Sequence, residues 1–262
     1  MTALHSLFIY YLVPVISLLI GAISLLAMIG SRGKGRSIAL VFGIAVFAYF
    51  LAIFLKEICD LLFRSFFLKP NIEGYIAVGA QTVFFEIGLA FLFALIFKKY
   101  LDSQSAIAMG SGLAMCENFV LLGIFGIIST TLTIEFDSAA LPLKSSVIST
   151  YISGLLPHIL DRISSLTGHT VWGFLAVMFV FKKSWRYLIA FPVGFLDSFA
   201  IYFDEAHPAY LSYLLFSLIT LAVSILWAYA ALKFTKNIRP FSDQVRYILK
   251  KFSRKTTNIE AV

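Results

Sequence analysis

Charge is scarce in this chain. Of its 262 residues only 13% are Asp, Glu, Lys or Arg, about half the share a soluble globular domain carries, which excludes an ordinary water-soluble fold. Cysteine is scarce too. Cys59 and Cys116 fall in apolar segments at different expected depths, so neither a disulfide framework nor a thiolate metal site is indicated. The N-terminus lacks the basic region of a secretory signal peptide, and its apolar run is of bilayer-spanning length, so it reads as a retained first helix. No internal repeat, low-complexity stretch or second domain is evident. What abounds is apolar surface, with 60% hydrophobic residues, 27 phenylalanines and a mean hydropathy of +0.91, gathered into span-length blocks. The chain reads as an all-α, polytopic integral membrane protein.

Seven runs are expected to cross the bilayer: Leu7–Ile29, Ser37–Leu61, Tyr75–Phe97, Ser105–Thr130, Thr167–Phe181, Arg186–Phe203 and Pro208–Leu232. Lys and Arg sort between their connections as short cytoplasmic loops require. Arg32, Lys34, Arg36, Lys98, Lys99, Lys182, Lys183, Arg186 and the cations from Lys233 to Lys255 fall on one side, and only Arg64, Lys69 and Lys144 on the other. The expected topology in a cell membrane therefore puts the N-terminus outside and the C-terminus in the cytoplasm. Residues 1–232 form one bundle. Residues 233–262 read as a basic amphipathic tail, with Phe241, Val245, Ile248, Leu249 and Phe252 at helical spacing, suited to an anionic inner leaflet. The net charge of +7 sits at span ends, where it sets topology, and indicates no nucleic-acid partner.

Two local features complete the topology. From Val147 to Phe181 there is more helix-compatible sequence than one straight crossing needs at 1.5 Å per residue. Gly154 and Pro157 predict a break there, with Val147–Asp161 lying along or dipping into the outer surface. Lys56, Glu57 and Asp60 lie near the outer end of the second span and are expected to snorkel to the interface.

Counting from the cytoplasmic end of each span gives every polar residue a depth. Glu86 is 11 residues from Phe97, Glu117 is 12 from Ser105, His169 is 12 from Phe181 and Asp197 is 11 from Arg186. All four thus lie about 16–18 Å from the inner face, on four consecutive spans. Ionisable groups at that depth are costly and face a protein interior or a water-filled cavity. Three carboxylates and one imidazole at one level suit water activation or cation binding. Arg162, two turns from His169 on the same face, is placed to steady a carboxylate or an oxyanion, and Asn118 adjoins Glu117.

The run Leu113-Ala114-Met115-Cys116-Glu117-Asn118, followed by Arg162, His169 and Gly173, resembles the motif order of the PrsW/YhfC group of glutamic-type intramembrane proteases, relatives of the CAAX-processing proteases. The resemblance covers the third to sixth spans. It implies that Glu86 stands for one member of a first Glu-Glu pair, Glu117 for the second-helix glutamate, His169 for the third motif and Asp197 for the last position. Asp161-Arg162 is similar to the Glu-Arg that precedes the histidine in the YhfC branch. Two positions depart from the pattern: Glu86 is flanked by Phe85 and Ile87, and Val193 stands where the last motif has histidine.

The resemblance implies an intramembrane endopeptidase acting on a membrane-protein or lipoprotein substrate. Glu86 or Glu117 would take a proton from the attacking water, and His169, assisted by Arg162 or Asn118, would serve the oxyanion or the leaving amine. Asp197 would orient His169. The cofactor stays open between none and a zinc ion held by Glu86, Glu117 and His169. Two other classes use the same residues: a proton or divalent-cation transporter, and a catalytically inactive relative that binds membrane proteins. No paired inverted repeats favour the transporter.

Overall fold

The computed structural model describes residues 3–30, 38–63, 72–102, 105–136, 145–195 and 210–234. Helices account for nearly all of them, and no strand occurs among them. This follows from the solvent. A segment in hydrocarbon must satisfy its backbone N–H and C=O groups internally, which a helix does turn by turn.

Six helices are long and apolar enough to cross a membrane. They are α1 (Ala3–Gly30), α2 (Ile38–Leu62), α3 (Ile72–Ile96), α4 (Ala106–Glu135), α5 (Ser145–Lys182) and α6 (Tyr210–Phe234). Their large side chains divide by face. Phe47, Phe54, Phe84 and Leu226 point outward, while Ala45, Ala48, Ile87, Met109, Leu175 and Met178 are buried in a common core. The layout centres on α5, which packs against α4, α6, α1 and α3, while α1 and α2 lie against α4.

Small residues set the closest approach. A Cβ on Gly173 of α5 would stand 2.5 Å from the Gly110 Cα of α4, so these two backbones touch at a point where neither helix has a side chain. Such contacts let membrane helices gain dispersion energy in the absence of a hydrophobic drive. Gly21 of α1 does the same under Phe119 of α4, where a Cβ would lie 2.7 Å from the Phe119 Cα. One crevice gathers Ala27 near the end of α1, Ile107 near the start of α4 and Ala231 near the end of α6. These three helix ends therefore share one face of the bundle, termed here the tail face.

The expected break at Gly154 and Pro157 does not occur. α5 is a single helix of 38 residues that runs through both. Proline removes one helical hydrogen bond, whereas an unwound turn in an apolar setting would strand several backbone groups, so keeping the helix is the cheaper solution. Pro157 is itself fully buried. At the other end Lys183 takes a left-handed conformation with φ of 49°, which turns the chain out of α5. Of the run Arg186–Phe203, a 3-10 turn at Trp185–Ile189 and a helical stretch over 190–195 are described. Gly194 packs there against Val83 and Ile87 of α3. Asp197 and the amphipathic tail lie outside the described residues.

Candidate functional site

Both carboxylate-bearing helices leave α geometry at their glutamates. Thr82–Ile87 of α3, which holds Glu86, is π-helical, and so is Cys116–Phe125 of α4, which holds Glu117. A π segment carries an extra residue in a turn and occurs mostly at functional positions. Its effect here is to aim each carboxylate inward at α5.

The imidazole of His169 lies between them and is 2% exposed. Its Nε2 is 2.9 Å from Glu86 Oε2, and its Nδ1 is 2.9 Å from Glu117 Oε2. Nδ1 is also 2.9 Å from the Ser165 carbonyl one turn back on α5. Each outer oxygen of the two carboxylates meets a cation. Lys56 Nζ of α2 donates to Glu86 Oε1 at 2.5 Å and to Thr82 Oγ1 at 3.2 Å. Arg162 Nη1 donates to Glu117 Oε1 at 2.9 Å, while its Nε and Nη2 hold Asp161 Oδ2. The result is an unbroken file, Lys56–Glu86–His169–Glu117–Arg162–Asp161, whose charges alternate when the imidazole is protonated. Buried charges persist only when paired in this way.

Neutral groups finish the site. Ser165 Oγ donates to Glu117 Oε2 at 2.5 Å. Asn118 Nδ2 donates to Ser165 Oγ at 3.3 Å and to the Ala114 carbonyl at 3.1 Å, while its Oδ1 is buried without a partner among the described residues. Two aromatic rings wall the imidazole edge-on, Tyr49 at 5.5 Å and Trp172 at 4.5 Å between centroids. Cys116 is buried and makes no bond to the file.

The structure thus brings together Glu86, Glu117, His169 and Arg162, sets Asn118 beside them through Ser165, and leaves Asp197 outside the described residues. One expectation is corrected. Lys56 does not snorkel outward but turns into the bundle, because the buried Glu86 offers a charge partner that water at the interface cannot match once the carboxylate is fixed in low dielectric. Asp60 is tied as well, accepting from Gln81 Nε2 at 2.7 Å; Glu57 alone of the three is exposed. Ser165 was not singled out in the sequence. Its four-residue spacing from His169, on the Arg162 face, was the available signal.

As placed, Glu86 and Glu117 meet opposite edges of one ring, so no common point lies among their donor atoms and the imidazole. Among the described residues no three His, Cys, Asp or Glu side chains are arranged to hold a metal ion. The set therefore does not fit a shared zinc ion in this arrangement. Toward the tail face the file ends. From Val171 to Val180 every residue of α5 is apolar and nearly all are buried, whereas Lys56 and Asp161 at the two ends of the file retain partial exposure of 18% and 20%.

No protein family matches the chain, and no curated protein or solved structure matches it.

Proposed function

We propose that the chain is an intramembrane peptidase, hydrolysing a membrane-embedded peptide bond with a carboxylate-activated water. The observation that carries this reading is the buried bridge Glu86–His169–Glu117, two acids clasping one imidazole midway along three helices. Paired titratable groups held apart by their environments are the usual means of running acid and base chemistry in one site. Every carboxylate oxygen is engaged in the resting arrangement, and with the imidazole protonated the Ser165 hydroxyl on Glu117 is the one neutral donor among those partners. A water taking that hydroxyl's place would meet Glu117 as its base. His169 and Arg162, already directed at the same spot, would then stabilise the oxyanion. The motif order shared with PrsW/YhfC-type proteases agrees with these roles. The substrate would be a membrane protein or lipoprotein, and Asp197 would act behind His169.

Seven crossings fit the course of the helices. α5 and α6 both run toward the tail face, and this supports a further crossing by the run Arg186–Phe203 between them. With the basic connections placed inside, this puts the N-terminus outside and the tail face in the cytoplasm of a cell membrane. The apolar stretch from Val171 to Val180 weighs against a transport pathway, which needs polar groups on both sides of the central site.

The test is a comparison of the membrane proteome of cells carrying the native chain with those carrying Glu117→Gln or His169→Ala at equal abundance. A membrane protein clipped only in the first supports the proposal. Identical processing in all three refutes it.

A further inference from the structure

A second feature lies on the reverse side of α5 from the histidine. Between α1 and α6, neither of which packs extensively on the other, a crevice of about 260 Å³ is floored by α4 and α5. Its lining is apolar, with Ile107, Leu166, Val171 and Phe174 at the base and Ala228 and Ala231 along one wall. Ile23 at its rim is 58% exposed, so the mouth faces sideways.

Four hydroxyl residues line this crevice, and they divide into two kinds. Thr167 and Thr170 donate to the carbonyls one turn back in their own helix, at 2.8 and 2.7 Å. Ser24 of α1 and Ser111 of α4, which are 2% and 1% exposed, have buried oxygens with no partner among the described residues. Leaving such a group unpaired in an apolar medium is costly, and a serine on a helix normally spends its hydroxyl on that preceding carbonyl. These two have not.

Their level identifies what they suit. Ser24 lies six residues from the tail-face end of α1 and Ser111 five from that of α4, about 9 Å and about 8 Å along the axis. The 28 residues of α1 span about 42 Å against a hydrocarbon core of about 30 Å, which leaves about 6 Å beyond the core at each end. Ser24 and Ser111 thus stand about 3 Å and about 2 Å inside the hydrocarbon boundary, within reach of the acyl ester carbonyls that lie just outside it in the neighbouring leaflet. We propose that the crevice binds one acyl chain of a glycerolipid from the tail-face leaflet, its ester carbonyl accepting from Ser24 or Ser111. This site is independent of the peptidase reading and stands or falls apart from it.

The test places the full chain in nanodiscs of phosphatidylethanolamine and phosphatidylglycerol with a trace of phosphatidylglycerol bearing a diazirine on one acyl chain. After irradiation, adducts are mapped by peptide mass spectrometry. Labelling at 107–111, 166–174 and 228–231 is expected to exceed that at Leu40, Leu95 and Leu226, exposed residues of the same leaflet, by about fivefold, which is what one net hydrogen bond of about 1 kcal/mol gives. An ether-linked analogue, which has no ester carbonyl, should lose this excess without any change to the protein, and Ser24→Ala with Ser111→Ala should lose it too. Even labelling of all these positions, or equal excess for ester and ether lipids, overturns the proposal. So do cross-links showing that residues 235–262 of the chain itself fill the crevice.

Discussion

Replacing Lys56 with Met probes the contact that the sequence least suggested. Lys56 Nζ is 2.5 Å from Glu86 Oε1, and the two side chains are 18% and 4% exposed. Methionine keeps the length and apolar stem of lysine and removes the charge, so the substitution isolates the ion pair. Glu86 would keep its bond to His169 but lose its nearer cation in a medium of low dielectric. Removing one partner of a buried pair costs about 3–5 kcal/mol; because His169 remains and Lys56 is partly accessible, the lower end applies, about 3 kcal/mol. Removing both charges, in Lys56→Met with Glu86→Gln, should recover most of that loss, because neutral replacements of a buried pair are often tolerated or stabilising. The double-mutant cycle would then show a coupling of about 2 kcal/mol. Reversible unfolding in mixed micelles titrated with SDS, followed by circular dichroism and tryptophan fluorescence, measures each variant. A lysine at the interface would contribute less than about 1 kcal/mol. If Lys56→Met lies within about 0.5 kcal/mol of the native chain, or the cycle shows no coupling, Lys56 does not hold Glu86 and the file is shorter than described.

Other outcomes follow from single contacts. Arg162→Lys should cost about 2 kcal/mol in the same assay, because one ammonium cannot reproduce the fork that holds Glu117 and Asp161 together; full stability would refute that bridging role. Gly173→Ala should destabilise by about 1–3 kcal/mol, since its new methyl meets the backbone of Gly110, whereas Gly43→Ala, with no atom of the described residues within 4 Å of its Cβ, should be neutral or stabilise by up to about 1 kcal/mol. Equal effects would place the α4–α5 contact elsewhere. Proteoliposomes of the native chain should show no proton or divalent-cation flux above empty vesicles under a pH or cation gradient, and flux abolished by Glu86→Gln would instead establish a pathway.

Much of this arrangement was legible, and the reasons are specific. Glu86, Glu117 and His169 announced themselves because an ionisable group in an apolar run has few tolerable surroundings, so counting residues along each helix sufficed to bring them to one level. Lys56 eluded the same count. Its Cα lies six residues from the end of α2, and which way so long a side chain points is decided by a carboxylate on another helix. The π segments were illegible for a different reason. An extra residue per turn changes neither the hydropathy nor the composition of Phe84-Phe85-Glu86 or Cys116-Glu117-Asn118, and its benefit exists only once α5 is in place. Pro157 misled because a proline in a helix-compatible run reads as a break, whereas in an apolar setting a broken turn finds no other partners. The orphaned hydroxyls of Ser24 and Ser111 could not be foreseen, since most serines in such helices bond to their own backbone.

The alternating file also bears on how the chain enters the bilayer. Lys56 on α2 is matched by Glu86 on α3, and Glu117 on α4 by Arg162 on α5. Each match joins successive helices, so two helical hairpins can leave the insertion machinery one after the other with their strongest charges already compensated. Neither hairpin has to wait in lipid for a distant segment to be synthesised. His169 then ties the second hairpin to the first through Glu86, which makes assembly of the site the event that locks the two halves together. A substitution such as Glu86→Gln would accordingly act twice, once on the proposed chemistry and once on the nascent pair, and reduced membrane insertion of that variant during synthesis is the trace it would leave.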